Sequence, residues 1–521
     1  MQPVQNLALE LFELRIKLDS KKTFITCEGQ SFTYEEVFGR ASKLAKHLQK
    51  LGLQPQERIV LRFWNEPEFV IAYFAVLLAG GVAVTISPLL TQSEIAHIVE
   101  HSGAHLILSF ENQVNNQFLI EDIFHSRIKL LENTPDLNLL TPPLQNLSGS
   151  WRVIGNLPQD LAVLIYTSGT TTDPKGVMLT RQNIEAQVKA ASKVLNLKKE
   201  DSFLGVLSLS HVFGQMDVLW ASLFTGCQVH LIKHFDAKKA LETIQQKEIS
   251  VLIAVPTMYQ LMVRQLEKNL MDFSKIRVCN SGAAPMTARL FEDIEKNFKA
   301  PVQEGYGLTE TCSMAFSNPM EGPRKPLSVG KAIESISFKL INDTGNPIEA
   351  PNQIGEVCIK GPIITPGYFA APEATSKSIT EDGFLLTGDL GYFDVDGYLF
   401  LVDRKKDMII RSGYKVYPRE VEEVLMQHPM VFQAAVIGVN SALQINKIKA
   451  FVVLKTEAKA FCAVSGETNG QNNLQKKLIA ELKDLCHSKL ARFKIPNQFE
   501  LVEEIPKTAS GKLLKRKLIS P

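Results

Sequence analysis

Apolar residues in this chain fall into short runs, and the period of those runs changes along the sequence. Thr33-Tyr34-Glu35-Glu36 is a capping box, in which a threonine oxygen and a glutamate carboxylate each satisfy a backbone amide of the first turn. Phe38, Ala41, Leu44, Ala45 and Leu48 follow at helical spacing, and Gly52 ends that helix. A strand is predicted over 58–63. Residues 69–90 are apolar enough to suggest a membrane span. Gly80-Gly81 and Ser87-Pro88 interrupt the run, so a buried helix, a glycine turn and a buried strand at Val82–Ile86 are predicted instead. A second capping box, Thr91-Gln92-Ser93-Glu94, opens a helix before a strand at 105–108. Further strands at 162–166, 228–232, 250–255 and 276–279 alternate with helical segments.

This alternation predicts an α/β fold: a large N-terminal domain of mixed or parallel sheets flanked by helices. From Ile336 the texture shifts to short strands punctuated by Gly and Asp, at Gly355–Lys360 and 398–402, which predicts a β-rich subdomain. After the charged run Asp403-Arg404-Lys405-Lys406-Asp407 come a helix (418–427), strands (433–439, 449–454) and a helix (473–490). This is a small α+β C-terminal domain. The predicted division is therefore 1–403, a hinge at 404–407, and 408–521. Residues 465–473, rich in Gly, Asn and Gln, read as an exposed loop.

With 521 residues the chain exceeds one ordinary core. Its 45% apolar content supports full folding. A formal net charge of +2 gives no electrostatic case for nucleic acid or an anionic membrane as main partner. The seven cysteines are scattered without a CxxC pair, which argues against a disulfide scaffold or zinc site and fits a reducing cytoplasm. The N-terminus lacks the basic start and apolar run of a signal peptide.

Candidate chemistry begins at Tyr166-Thr167-Ser168-Gly169-Thr170-Thr171-Thr172-Asp173-Pro174-Lys175-Gly176. Small hydroxyl residues and Gly after an apolar strand let amides and hydroxyls converge on phosphate oxygens, and Lys175 supplies a point charge. The spacing is not that of a Walker A loop. The run resembles the phosphate-binding motif of the adenylate-forming superfamily, which comprises acyl-CoA synthetases, peptide-synthetase adenylation domains and luciferases. The family's usual Gly is replaced here by Thr172.

Other segments resemble the family's motifs in the same order, from about Phe32 to Lys517. The resemblance implies that Gly282, Ala283 and Ala284 border adenine. It implies that in Glu304-Gly305-Tyr306-Gly307-Leu308-Thr309-Glu310, Tyr306 stacks on adenine, Thr309 bonds the α-phosphate and Glu310 holds Mg²⁺. Asp389, in Thr387-Gly388-Asp389, would accept the ribose hydroxyls, with Arg404 as a second contact. Lys512 would stabilise the pentavalent phosphorus of adenylation. Lys406 matches the hinge about which a mobile C-terminal domain turns, and Gly413 the approach of the thiol arm. His211 and Phe213 match the acyl-side gate, with Met314 lining the pocket. Amino-acid-activating relatives carry Phe-Asp in this segment, Leu209-Ser210-His211-Val212-Phe213-Gly214 here, with the Asp pairing the substrate ammonium. The absence of that acid favours a substrate without an ammonium group. Asp217, nearby, reads as a helix-surface residue.

The implied activity is ATP-dependent activation of a small-molecule carboxylic acid, a fatty acid being favoured over an aryl acid, followed by transfer to coenzyme A. Transfer to an acyl carrier protein is an alternative, as is a binding homologue without catalysis. ATP, Mg²⁺ and coenzyme A are the implied cofactors.

Overall fold

The computed structural model describes residues 6–109, 129–131, 160–167, 174–266, 271–411, 414–439, 447–455, 468–506 and 513–518. They form two compact units: Met1–Phe338 with Ile359–Leu386, and Lys339–Cys358 with Thr387–Pro521. This grouping places most of the β-rich stretch with the C-terminal residues, whereas the sequence pattern groups it with residues 1–403.

The first unit contains two sheets. One runs in the order Lys129–Leu131, Leu106–Ser109, Arg58–Arg62, Val82–Ile86, Leu161–Thr167, Lys175–Thr180. It is parallel until its last pair, which is an antiparallel hairpin. The other has nine strands, with a parallel centre and antiparallel pairs at both ends. Strands buried on both faces need continuous apolar runs, and Val82–Ile86 and Val251–Ala254 are buried throughout.

The capping boxes at Thr33 and Thr91 form as predicted, each with both reciprocal hydrogen bonds. The membrane-like stretch resolves into the helix Pro67–Leu78, a turn at Gly80 (φ +80°) and the strand Val82–Ile86. Every helix residue except Glu68 is buried. A helix apolar on all sides needs cover on all sides. Here one core supplies it, joining Ile59 and Leu61 of the six-stranded sheet to Phe203, Val229 and Ile253 of the nine-stranded one. Trp220 donates its indole N–H to the Tyr73 hydroxyl at 2.9 Å within this core. No helix among the described residues is long and apolar enough to cross a membrane.

The second unit holds most of a five-stranded sheet, in which Leu385–Phe393 and Leu399–Arg404 are antiparallel neighbours. It also holds a three-stranded sheet (Val431–Val439, Lys447–Leu454, Gln498–Leu501). The helices Pro418–Leu425 and Thr468–Lys489 share that sheet's apolar core. The last helix corrects the expectation of a loop over 465–473, since residues 468–473 are helical. Extending a helix already nucleated costs little even for Gly and Asn, because each added residue gains a backbone bond. The six described cysteines are all free and buried, and Cys462 lies outside the described residues.

Candidate active site

The phosphate-loop expectation falls on a hairpin whose ends are described. Tyr166 pairs with Gly176 and Thr167 with Lys175. Ser168, Gly169, Thr170, Thr171 and Thr172 lie outside the described residues. The Lys175 ammonium lies 5.1 Å above the Tyr368 ring, within cation–π range. A returning segment fixes Tyr368 against this hairpin: Phe369 N–H donates to Gly176 O (2.8 Å), and Met178 N–H donates to Gly367 O (3.1 Å).

Tyr368 also reaches Glu310. Its hydroxyl donates to Glu310 Oε1 at 2.9 Å, and Thr365 N–H donates to Glu310 O at 2.9 Å. Burial, and then the adjacent Glu310 charge, push the Tyr368 hydroxyl above its ordinary range, so it remains a proton donor. The fold thus gathers Lys175 and Glu310, 135 positions apart in sequence, around one tyrosine beside the hairpin formed by Leu161–Thr167 and Lys175–Thr180. Neither the tyrosine nor Thr365 was singled out by sequence. The Pro366-Gly367-Tyr368 turn was the available signal.

Glu310 sits in a single 3-10 turn, Thr309–Thr311, between the antiparallel strands Val302–Leu308 and Ser313–Ser317. The reversal is tight. Cys312 and Ser313 both take positive φ, +53° and +112°. Leu308 N–H donates to Thr311 Oγ1 at 2.8 Å, and Thr311 Oγ1 donates to Ser313 O at 2.7 Å. A Cβ on Gly307 would fall 1.5 Å from Ser313 O, so no other residue fits there.

In the segment expected to border adenine, Ser281 and Glu304 are neighbours in parallel strands. Ala283 takes φ +67°, the turn that brings backbone to a surface. A Cβ on Gly282 would meet Gly305 O at 3.3 Å and the Phe213 ring at 3.5 Å. Glu304 is 2% exposed, and its Oε1 accepts the Met286 N–H at 3.2 Å. It therefore braces the segment carrying Ala283 and Ala284 from behind. Tyr306 is 8% exposed, its ring 6.2 Å from that of Phe316. Gly305 and Gly307 flank it on the strand.

On the acyl side, His211 and Phe213 are half-buried, just before a π-helix at Gly214–Trp220, and Met314 is 4% exposed. Gly214 is required by crowding, because a Cβ there would fall 2.4 Å from Ser208 O. The π-helix overturns the surface reading of Asp217, which is 0% exposed. An i→i+5 turn shifts the phase of the residues that follow, so a count of 3.6 points Asp217 the wrong way.

The second unit pairs Asp389 with Arg404. They are direct cross-strand partners, and Arg404 Nε lies 3.1 Å from Asp389 Oδ1. Gly388 (φ +70°) turns the chain so that its N–H donates to Glu356 Oε1 (3.1 Å), while Thr387 Oγ1 donates to Val357 O (2.7 Å). Lys405 closes the corner on Glu356 Oε2 at 2.7 Å. Lys406 is exposed. Gly413 and Lys512 lie outside the described residues.

Lys175, Tyr368 and Glu310 thus meet where the resemblance expects the phosphates of a nucleotide. Comparison with known proteins agrees. The AMP-binding enzyme family matches residues 12–369, and the AMP-binding enzyme C-terminal domain matches 420–512. The chain belongs to the AMP-binding enzyme family, and with it to the AMP-forming acid–thiol ligases of the adenylate-forming superfamily. It is 32% identical to a long-chain-fatty-acid–CoA ligase of Bacillus subtilis (strain 168), covering 96% of this chain and 91% of that one. It is 35% identical to an oxalate–CoA ligase of Arabidopsis thaliana, covering 89% and 88%. Among solved structures, ATP-bound MatB from Rhodopseudomonas palustris superposes with a TM-score of 0.85 at 27% identity, covering 98% and 97%.

Proposed function

We propose that this chain activates a small-molecule carboxylic acid with ATP as acyl-AMP, releases pyrophosphate, and passes the acyl group to the thiol of coenzyme A. The observation that carries the reading is the meeting of Lys175, Tyr368 and Glu310 at the phosphate hairpin. A carboxylate is a poor acyl donor until its oxygen becomes a leaving group. The chain must therefore hold two anions together. Lys175 and the hydroxyl loop take the phosphates, and Thr309 takes the α-phosphate. Lys512 neutralises charge as the acyl oxygen attacks.

Mg²⁺ fits the donor set: Glu310 is a half-buried carboxylate beside the phosphate hairpin, and one such oxygen ligand beside ATP phosphates is what a hard cation accepts. Bound there, it would offset phosphate charge. Tyr368 holds the Glu310 carboxylate in place, by a bond that spends one lone pair and leaves others for a ligand. Tyr306, Gly282, Ala283 and Ala284 border adenine. Asp389 accepts the ribose hydroxyls, oriented by Arg404. Lys406 is the hinge of the second half-reaction, and Gly413 admits the pantetheine arm.

We favour a fatty acid, with an aryl acid next, because Phe213 and Met314 are apolar and His211 carries no charge suited to an ammonium. Relatives named for acids as unlike as long-chain fatty acids and oxalate share this architecture, so fold alone does not choose. ATP–pyrophosphate exchange across fatty, aryl, dicarboxylic and amino acids tests the reading. AMP release is then measured with coenzyme A or with a carrier protein as acceptor. Exchange with fatty or aryl acids and AMP release with coenzyme A is the expected result. Exchange with amino acids alone, or release with carrier protein alone, overturns it.

A further inference from the structure

Asp217 is a fully buried acid with no role in the chemistry above. Two other elements pack on it. Ser313, at the strained reversal after Glu310, donates its hydroxyl to Asp217 Oδ2 at 2.5 Å. Gln187, from the helix Arg181–Val194, lies against Oδ1. The orientation of the Gln187 amide is assigned from its neighbours. Turned so that its NH₂ donates to Met314 O and its oxygen accepts Met314 N–H, both at 3.0 Å, it satisfies the strand. The atom 3.4 Å from Asp217 Oδ1 is then the amide oxygen. Two acceptor oxygens face each other favourably only when one carries a proton.

We infer that Asp217 is a positioning residue which, as a neutral carboxylic acid, clamps the reversal 308–314 and so sets Thr309 and Glu310 on the phosphates. Its proton goes to Gln187 and its other oxygen takes the Ser313 hydroxyl. Gln187 in turn holds both backbone groups of Met314. A turn with two successive non-glycine residues at positive φ is otherwise strained. Only the Cys312 thiol, itself pushed up by burial, faces Asp217 as a further titratable group, and no lysine, arginine or histidine does so among the described residues. Burial pushes the carboxyl up to about 7, against the opposing pull of the Ser313 hydroxyl. Ionisation puts a second acceptor charge against the Gln187 oxygen and loosens its hold on Met314.

The inference rests on the proposed roles of Thr309 and Glu310. The decisive comparison is wild type against Asp217→Asn, whose amide keeps both bonds but cannot ionise. In ATP–pyrophosphate exchange, wild-type kcat is expected to fall about threefold or more as pH rises through the range where the acid ionises, while the variant stays level. Ser313→Ala is expected to lower kcat for exchange about tenfold with the KM for the acid little changed, as loss of one charge-orienting bond would. Thiolysis of supplied acyl-adenylate should fall far less.

A substrate-free readout accompanies these. The folded-state pKa is raised, so the native chain holds a proton that the unfolded chain has lost. Stability must therefore decline from about pH 4 to about pH 7 and level off above. The thermal midpoint of wild type is expected to drop relative to Asp217→Asn across that window. An alkaline limb retained in Asp217→Asn, or a Ser313→Ala effect confined to the KM for the acid, overturns the inference while leaving the proposed reaction standing. No exchange with any acid removes the proposed reaction, and the inference with it, even if the melting difference is seen.

Discussion

Two carboxylates of this chain, Glu310 in the first unit and Asp389 in the second, are held by opposite means. Asp389 lies in an antiparallel ladder, directly opposite Arg404 and just before a register shift at Leu390–Gly391, and cross-strand pairing brings the two charges together. Glu310 sits in a cramped reversal that no ladder orients. Its position depends on Tyr368 and Thr365 from a distant segment, on a glycine with no room for a methyl, and on buried polar groups behind it. Local pairing tolerates neighbouring change, whereas a site assembled from remote segments fails when any one of them moves.

The contrast can be broken at several points. The largest effect is expected from Gly307→Ala, whose methyl would collide with the Ser313 carbonyl. Backbone must shift, costing about 3 kcal/mol or more, and exchange activity should disappear together with a drop in thermal midpoint. Glu310→Gln keeps the fold and should lower adenylation about a hundredfold to a thousandfold, measured as exchange kcat at saturating ATP. Asp389→Asn is expected to raise the KM for ATP about tenfold with little change in kcat, since only a binding contact is weakened. Tyr368→Phe, the mildest, should lower exchange kcat about three- to tenfold by freeing one oxygen of Glu310. If Asp389→Asn proves more damaging to kcat than Glu310→Gln, the assignment of binding to one region and chemistry to the other is wrong.

Much of the fold follows from rules that act within a dozen residues. Both capping boxes, the glycine stop at Gly52 (φ +97°) and the division of 69–90 into helix, turn and strand depend on local sterics and periodicity. Asp389 was named through the family resemblance, and the structure places it inside the strand Leu385–Phe393, opposite Arg404. What escaped sequence depends on contacts across long separations. Asp217 was misplaced because a π-helix breaks the count, and Tyr368 lies 58 residues from the carboxylate it serves. Glu304 matched a motif, yet its side chain points into the protein and holds Met286.

The helix Pro67–Leu78, buried except at Glu68, carries a cost during synthesis. Its Tyr73 partner, Trp220, lies 147 residues downstream. At about 5–20 residues per second, that part of its cover follows roughly 7–30 s later, whereas the helix Tyr34–Lys50 that packs on it is already made. For that interval it resembles, to any nascent-chain receptor, the membrane anchor that the finished fold conceals.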